Sequence, residues 1–185
     1  MRLSPRRRRV RDRRTAQNRT DARTGLLNAA AFETDIAAID GRARCDGATY
    51  AIALCDIDHF GPYNNRYLYH NGNIVLRRVA EALSAACRPG DVVYRYGGEE
   101  LAVVLPDTEL RDAAALAERL RRAVQELGIP HENRPPPHLV TITAGVAALD
   151  VERHRTPEDL VVAANRRLRV AKDGGRNRVD ALLVR

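Results

Sequence analysis

The sequence predicts an α/β domain in which a mixed central β-sheet is flanked by helices. Short apolar, β-branched segments alternate with longer segments whose apolar residues recur at helical spacing. The chain of 185 residues is long enough for one domain with a substantial core, and its apolar content of 44% is ordinary for a soluble globular protein. No apolar run approaches the roughly 20 residues of a membrane-spanning helix.

Most of the excess positive charge lies at the start of the chain. The formal net charge is +7, and residues 1–20 alone contribute +8 through nine arginines and one aspartate, which leaves −1 for the rest. We interpret residues 1–20 as an Arg-rich flexible tail or helix and residues 21–185 as the folded domain. Such a tail suits nucleic acid or anionic lipid. A solvated leader without a partner is the alternative.

The cysteine content favours a reducing compartment. Cys45, Cys55 and Cys87 are odd in number and lack the spacing of a metal site. Cys55 falls within an apolar strand and is expected to be a small buried hydrophobe. The start of the chain also lacks the apolar segment of a secretory signal. These features predict a cytoplasmic location.

The first half of the domain is predicted to contain two helices around one strand. Residues 29–40 place apolar side chains on one helical face, behind Asn28 as the N-cap. The next segments are a polar loop over 41–47, a strand over 50–57, a loop or short helix, and a helix over 72–87. The strand is apolar and ends in Asp56 and Asp58, so we expect a central strand whose carboxylates point past the sheet edge.

The second half is predicted to contain a hairpin, two helices and two further strands. A turn over 88–91 leads into the hairpin, and a helix capped by Asp107 or Thr108 extends to about residue 127. The remaining elements are an alternating strand over 139–147, a helix that starts at Thr156 and Pro157, and a last strand over 179–184. That helix is predicted to run to Lys172 or Asp173, where Gly174 and Gly175 stop it.

The hairpin carries two adjacent glutamates on a Gly-Gly turn. Gly97 and Gly98 separate two apolar runs, and both glycines can take the positive φ that a tight turn needs. Glu99 and Glu100 follow at once, and their charges repel unless a cation binds there. Hard oxygen ligands suit Mg²⁺. A solvated acidic turn is the alternative on this stretch alone.

The order of elements brings this turn to the end of the first strand. The order α-β-α-β-β-α-β-α-β places the hairpin between two crossover helices, which predicts a sandwich of the ferredoxin-like palm kind. In that arrangement Asp56 and Glu99 face one point.

These residues resemble the GGDEF family of diguanylate cyclases, in its GGEEF form. The resemblance covers about residues 21–180 and rests on four motifs in order and spacing. They are Asp21 to Asn28, Asp56-x-Asp58-x-Phe60, Gly97-Gly98-Glu99-Glu100-Leu101, and Ala171-Lys172-x-x-Gly175-Arg176-Asn177. Arg23 and Leu101 stand where the family usually has leucine and phenylalanine. The resemblance implies a palm fold of the nucleotidyl cyclase and polymerase type.

The resemblance also implies a reaction and a site. Two domains, each holding one GTP, face each other across the two-fold axis of a homodimer and form cyclic di-GMP and two pyrophosphates. Mg²⁺, or Mn²⁺ in its place, is implied to bind Asp56, the Ile57 carbonyl and Glu99, while Glu100 supports the metal or assists deprotonation. The implied substrate contacts are Asn64, Asn73, Gly97, Gly98, Lys172 and Arg176. A purely structural alternative for the last two is that they favour a helix C-terminus.

An Arg-x-x-Asp turn precedes the signature at the spacing of the family's inhibitory site. Arg88, Asp91 and Arg119 match the residues that bind the product in that site. Guanidinium groups suit both phosphate oxygens and a guanine edge. The alternative is an ordinary turn salt bridge, with Arg119 a solvated helix residue.

The segment after Asp58 departs from the family pattern. Gly61 replaces a phosphate-binding lysine, which removes a contact worth about 1.5–3 kcal/mol. Asn65 replaces an aspartate, and Leu68 and Tyr69 replace Gly-His. Asn73 replaces the aspartate that recognises guanine.

Three functions are therefore open. The first is a diguanylate cyclase with product inhibition. The second is a cyclase of altered purine choice, because the Asn73 amide offers one acceptor and one donor group where a carboxylate accepts from both N1–H and N2–H₂ of guanine. The third is a weak or inactive domain that senses GTP or cyclic di-GMP.

Overall fold

The computed structural model describes residues 19–132 and 135–181. Of the tail predicted for residues 1–20, all but Arg19 and Thr20 lies outside the described residues, as does the end of the last predicted strand. Within the described part of the chain, no helix has the length and apolar character needed to cross a membrane.

The predicted architecture is confirmed: a mixed sheet of six strands carries helices on both faces. The strands are β1 (Leu27–Asn28), β2 (Tyr50–Ile57), β3 (Val92–Arg95), β4 (Glu100–Pro106), β5 (Ile142–Ala148) and β6 (Val179–Ala181). The helices are α1 (Ala29–Asp46), α2 (Phe60–Ala86), α3 (Leu110–Glu126) and α4 (Pro157–Asp173). The sheet order is β1-β3-β4-β2-β5-β6. β2 lies antiparallel to both β4 and β5, whereas β1 with β3 and β5 with β6 are parallel.

The central strand β2 divides the core into two layers. Its alternate residues Ala51, Ala53, Cys55 and Ile57 pack with α2 and α3. The others, Tyr50, Ile52 and Leu54, pack with α1 and α4. Cys55 is fully buried, as predicted, and burial raises the pKa of its thiol to about 12.

Helix α1 is longer than the sequence pattern predicted. The polar loop expected over residues 41–47 is wrong, because the helix continues to Asp46 and ends at Gly47 with a φ of 67°. Two polar contacts stabilise the extension: Arg44 pairs with Asp40 at 2.6 Å, and the Tyr50 hydroxyl donates to the same carboxylate. A helix buried partly through polar contacts leaves no continuous apolar stripe in the sequence.

Smaller differences occur at other boundaries. β5 begins at Ile142 rather than residue 139, and the N-cap of α3 is Glu109 rather than Asp107 or Thr108. The helix start at Thr156 is confirmed with a full capping box formed with Asp159. β1 has two residues, too few to give a periodic signal.

Helix α2 is kinked where the chain departs from the family motif. It begins at Phe60, whereas the sequence predicted a regular helix only from Gly72. Leu68 interrupts it with φ 69° and ψ 153°, a conformation essentially reserved for glycine. Leu68 stands in the place of the family's glycine, so the strained conformation coincides with the replaced residue.

Replacing Leu68 by glycine is expected to stabilise the domain by about 1 kcal/mol. Relief of backbone strain contributes about 1–3 kcal/mol, and the greater conformational entropy that glycine gives the unfolded chain offsets part of that gain. The Leu68 side chain is 71% exposed, so little packing is lost. Urea denaturation measures the change. Tyr69→Gly is the control, since Tyr69 is equally exposed but helical and should lose about 1 kcal/mol. An equal loss of unfolding free energy in both variants would contradict backbone strain at Leu68.

Candidate functional site

The end of β2 and the hairpin turn are neighbours, as predicted. Asp56 pairs in register with Glu100, and the Ile57 amide donates to the Glu99 carbonyl at 3.3 Å. Burial raises the pKa of the Asp56 carboxyl. Burial and the nearby Asp56 charge likewise raise the pKa of Glu99. The Asp56 charge thus disfavours ionisation of its neighbour Glu99, and such a pair of carboxylates forms a site suited to a cation.

Cationic side chains from the end of α4 meet these carboxylates. Lys172 Nζ lies 2.8 Å from Asp56 Oδ2. The positive charges of Lys172 and of Arg176, in the loop after α4, both counteract the rise in the Asp56 pKa. The structure thus brings the predicted phosphate contacts and the predicted metal ligands together.

The donor set fits a hard divalent cation. Within the described ranges, no three His, Cys, Asp or Glu side chains form a ready-made metal centre. Asp56 and Glu99 supply carboxylate oxygens, and Ile57, which directly follows Asp56 in the chain, supplies a backbone carbonyl. Mg²⁺ typically takes one or two carboxylates and completes its shell with water and substrate phosphates. Lys172 occupies one Asp56 oxygen in this structure and neutralises part of the same charge.

The Gly-Gly turn differs from the predicted tight turn. Neither Gly97 nor Gly98 has a positive φ, so that expectation is wrong. Four residues connect the strands, and the Tyr96 and Gly97 amides both donate to the Glu100 carbonyl. A Cβ at Gly97 would lie 2.6 Å from Glu100 Oε2, so the glycine lets the flexible Glu100 side chain lie against the turn. A Cβ at Gly98 would meet nothing within 4 Å, so the turn is open at that point.

Arg95 holds this turn from inside the domain, a role that the sequence analysis missed. Its side chain is buried, and its Nε donates to the Gly97 carbonyl at 2.5 Å while Nη2 contacts the Gly98 carbonyl. Nη1 lies 3.7 Å from the Asp21 carboxylate. The sequence does contain one signal for this role, because Arg95 is a charged residue within an otherwise apolar strand.

Asp58 stabilises the fold rather than facing the site. Its buried carboxylate accepts hydrogen bonds from the Thr141 and Thr143 hydroxyls at 2.6 and 2.5 Å. It also accepts from the Asn177 amide at 3.1 Å. Asp58 therefore links the end of β2 to β5 and to the loop that carries Arg176.

The two predicted base contacts lie near each other on α2. A Cβ at Gly72 would lie 1.8 Å from Asn64 Oδ1, so the absent side chain makes room for this amide. Asn64 Oδ1 is buried without a hydrogen-bond partner among the described residues. Asn73 follows Gly72 directly and is half-buried, whereas Gly61 and Asn65 are exposed. The unsatisfied acceptor is a candidate ligand contact.

The Arg-x-x-Asp turn lies at the other end of β3 from the glycines. Arg88 Nε donates to Asp91 Oδ1 at 3.1 Å, and Arg88 Nη2 donates to the Pro106 carbonyl at 2.8 Å. Arg119 of α3 donates to the Ala86 carbonyl at 2.9 Å, which brings it to the same surface. The turn salt bridge exists, and a second arginine accompanies it.

Comparison with known proteins places this site in a family. The family model for "Diguanylate cyclase, GGDEF domain" matches residues 18–178. This chain belongs to the GGDEF family. Diguanylate cyclase VdcA of Vibrio cholerae is 34% identical over 162 residues, covering 88% of this chain and 46% of that protein. Response regulator PleD of Caulobacter vibrioides is 37% identical over 160 residues, 86% of this chain and 35% of that protein.

Solved GGDEF structures share the fold. The crystal structure of the GGDEF domain of DgcB from Caulobacter crescentus, in complex with c-di-GMP, matches with a TM-score of 0.78 and 29% identity. The match covers 88% of this chain and 92% of that one. The chain spans less than half the length of the two curated relatives, VdcA and PleD.

Proposed function

We propose that this GGDEF domain is a diguanylate cyclase that condenses two GTP into cyclic di-GMP and two pyrophosphates. The observation that carries the proposal is the convergence of Asp56, Glu99 and Lys172 beside an open Gly-Gly turn. Paired carboxylates next to cationic side chains suit a metal-bound triphosphate. The name of the relative VdcA, a diguanylate cyclase, supports the same reaction.

The residues have distinct roles in the proposed reaction. Asp56, Glu99 and the Ile57 carbonyl would hold Mg²⁺, which neutralises phosphate charge and favours the ionised 3′-hydroxyl when bound. Lys172 and Arg176 bind triphosphate oxygens, and Glu100 supports the metal site or assists deprotonation. Phosphoryl transfer depends chiefly on alignment and charge neutralisation, which these groups supply.

The reaction requires a two-fold homodimer. Each 3′-hydroxyl attacks the α-phosphate of the GTP on the opposite domain, with pyrophosphate as the leaving group. One domain holds only half of the substrates, so two copies must face each other.

Product analysis tests the proposal. The protein is incubated with Mg²⁺ and GTP, ATP, or both, and the products are resolved by mass. Cyclic di-GMP from GTP alone is the expected result. Nucleotide binding without formation of any cyclic dinucleotide would overturn the proposed enzymatic function and favour a nucleotide sensor. A mixed or adenine-containing product would show altered purine choice.

The altered purine choice has its own supporting observation. Asn64 presents an unsatisfied oxygen beside Gly72, and Asn73 supplies a second amide where the family has a carboxylate. Guanine offers two donors to this position, and only one of them finds an acceptor on an amide. Two amides fit an adenine edge at least as well.

Asn73→Asp is expected to raise kcat/KM for GTP about tenfold, because a hydrogen bond to a carboxylate is worth about 1.5–3 kcal/mol. Steady-state kinetics with GTP measures the change. Ser84→Asp is the control, since it adds the same charge to an exposed position of the same helix outside the family motifs. An equal gain in both variants would assign the effect to charge alone.

We further propose that Arg88, Asp91 and Arg119 bind cyclic di-GMP and inhibit the enzyme. Arg88→Ala is expected to weaken cyclic di-GMP binding at least about tenfold, since a charge-assisted contact is lost. Calorimetry measures the affinity, which is expected to be micromolar or tighter in the wild type. Arg111→Ala, an exposed arginine of the same helix as Arg119, is the control. Unchanged binding in Arg88→Ala would show that Arg88 and Asp91 form only a structural salt bridge of the turn.

A further inference from the structure

The loop after α4 has a strained conformation next to the site. Arg176 and Asn177 are consecutive residues with φ values of 62° and 46°. The left-handed region is unfavourable for residues other than glycine, and asparagine tolerates it best. The Arg176 amide donates back to the Ala171 carbonyl at 3.1 Å, which turns the chain sharply. Contacts elsewhere must hold this conformation.

Asn177 supplies those contacts with both its backbone and its side chain. Its backbone amide donates to Asp58 Oδ2 at 3.1 Å and to Thr143 Oγ1 at 3.0 Å. Its side-chain Oδ1 accepts from Arg121 Nη1 at 2.8 Å, and its Nδ2 donates to Gln125 Oε1 at 3.1 Å. One residue thus connects β2, β5 and α3.

The α3 partners are themselves fixed. Arg121 forms two hydrogen bonds with the Glu118 carboxylate, at 2.7 and 2.9 Å. Its Nη1 also donates to Gln125 Oε1 at 2.7 Å, and its side chain is only 14% exposed. A planar guanidinium held on two sides presents its remaining donor to Asn177 in one orientation.

The position of Asn177 gives this network a functional consequence. Its neighbour Arg176 is half-buried, and its guanidinium has no hydrogen bond or ion pair among the described residues. The backbone partner Asp58 lies two residues after Asp56, and Lys172, the last but one residue of α4, pairs with Asp56 just before the loop. The network therefore fixes the phosphate-binding side of the site relative to the metal-binding side.

We infer that Asn177 is a positioning residue, held by Arg121 and Gln125 of α3, that sets the orientation of Arg176 toward the substrate triphosphate. This inference rests on the proposed cyclase function. It adds residues of α3 to the machinery, although α3 lies outside the four family motifs.

Asn177→Gly tests the inference, because glycine keeps the left-handed backbone and its N–H contacts and removes only the side-chain contacts with Arg121 and Gln125. The expected result is a rise of about tenfold in KM for GTP with a smaller change in kcat. Arg121→Ala should show the same effect, and the double variant no further loss. Asn177→Asp, which still accepts from Arg121, should recover most of the affinity. Thermal unfolding identifies any variant that fails to fold.

Arg122→Ala is the control, since Arg122 pairs with the same Glu118 but does not reach Asn177. Binding of a non-hydrolysable GTP analogue with Mg²⁺ separates the two claims. A wild type that binds the analogue but makes no product overturns the proposed function, while the inference still requires about a tenfold weaker Kd in Asn177→Gly. Unchanged KM and Kd in that variant, an equal loss in Arg122→Ala, or a wild type that binds no nucleotide would overturn the inference.

Discussion

Glu99→Gln is expected to lower kcat for cyclic di-GMP formation at least about a thousandfold, the equivalent of several kcal/mol of lost metal assistance. The substitution keeps the shape of the side chain and removes one of the two carboxylates proposed to hold Mg²⁺. Product formation at saturating Mg²⁺ and GTP measures the loss.

The same variant is expected to fold at least as stably as the wild type. The pKa of Glu99 is raised by burial and by the Asp56 charge, so at neutral pH its ionised form is less favourable in the folded state than in the unfolded state. Removing that charge relieves the repulsion. Thermal unfolding in the presence of EDTA measures stability without metal.

Glu81→Gln controls for the loss of a carboxylate, because Glu81 is exposed on α2. It should leave both turnover and unfolding unchanged. Turnover of Glu99→Gln within tenfold of the wild type would contradict the role of Glu99 as a metal ligand. Asp56→Asn is a less selective test, since it also removes the partner of Lys172.

The sequence predicted the centre of the fold and the meeting of Asp56 with Glu99 because their signals are local. β2 is an uninterrupted apolar run with carboxylates at its end, and its predicted bounds match the structure. Once the order of elements defines the palm topology, the end of β2 and the hairpin turn must be neighbours. No long-range contact had to be known in advance.

The contacts that hold the site could not be predicted in this way. Arg95 and Asn177 act through carbonyls and side chains distant in sequence, and nothing in their immediate neighbours specifies those partners. The close approach of the Glu100 carboxylate to Gly97 is likewise a side-chain contact, and no positive φ at the glycine accompanies it. Polar networks depend on three-dimensional geometry that the spacing of apolar residues in the sequence does not specify.

The strain at Leu68 shows the opposite case. A leucine in place of the family's glycine marks the position in the sequence, but only the backbone shows that the glycine conformation is retained. The replaced residue therefore carries a cost in stability that the sequence alone does not reveal.

Gly145→Ala is expected to destabilise the domain by about 3 kcal/mol, at the upper end of the cost of overpacking a core. Gly145 lies in β5 under α4, and a Cβ there would lie 2.0 Å from the Leu168 amide nitrogen and 2.4 Å from the Ala164 carbonyl oxygen. Both are backbone atoms, so no side-chain rotation relieves the clash. Urea denaturation measures the free energy of unfolding.

Gly41→Ala is the matched control. Gly41 lies in α1, is exposed, and would place its Cβ where no atom lies within 4 Å. Alanine should stabilise that helix by about 0.5–1 kcal/mol. A Gly145→Ala variant within 1 kcal/mol of the wild type would contradict the close approach of α4 to β5.

The clash at Gly145 should also reach the site. Helix α4 must move away from β5 to admit the methyl group, and its last turn carries Lys172, whose Nζ lies 2.8 Å from Asp56. We expect the folded fraction of Gly145→Ala to bind the GTP analogue more weakly than the wild type, as measured by calorimetry at a temperature where the variant is folded. Wild-type affinity in that fraction would show that the end of α4 is held by its own loop, through Asn177, rather than by packing against β5.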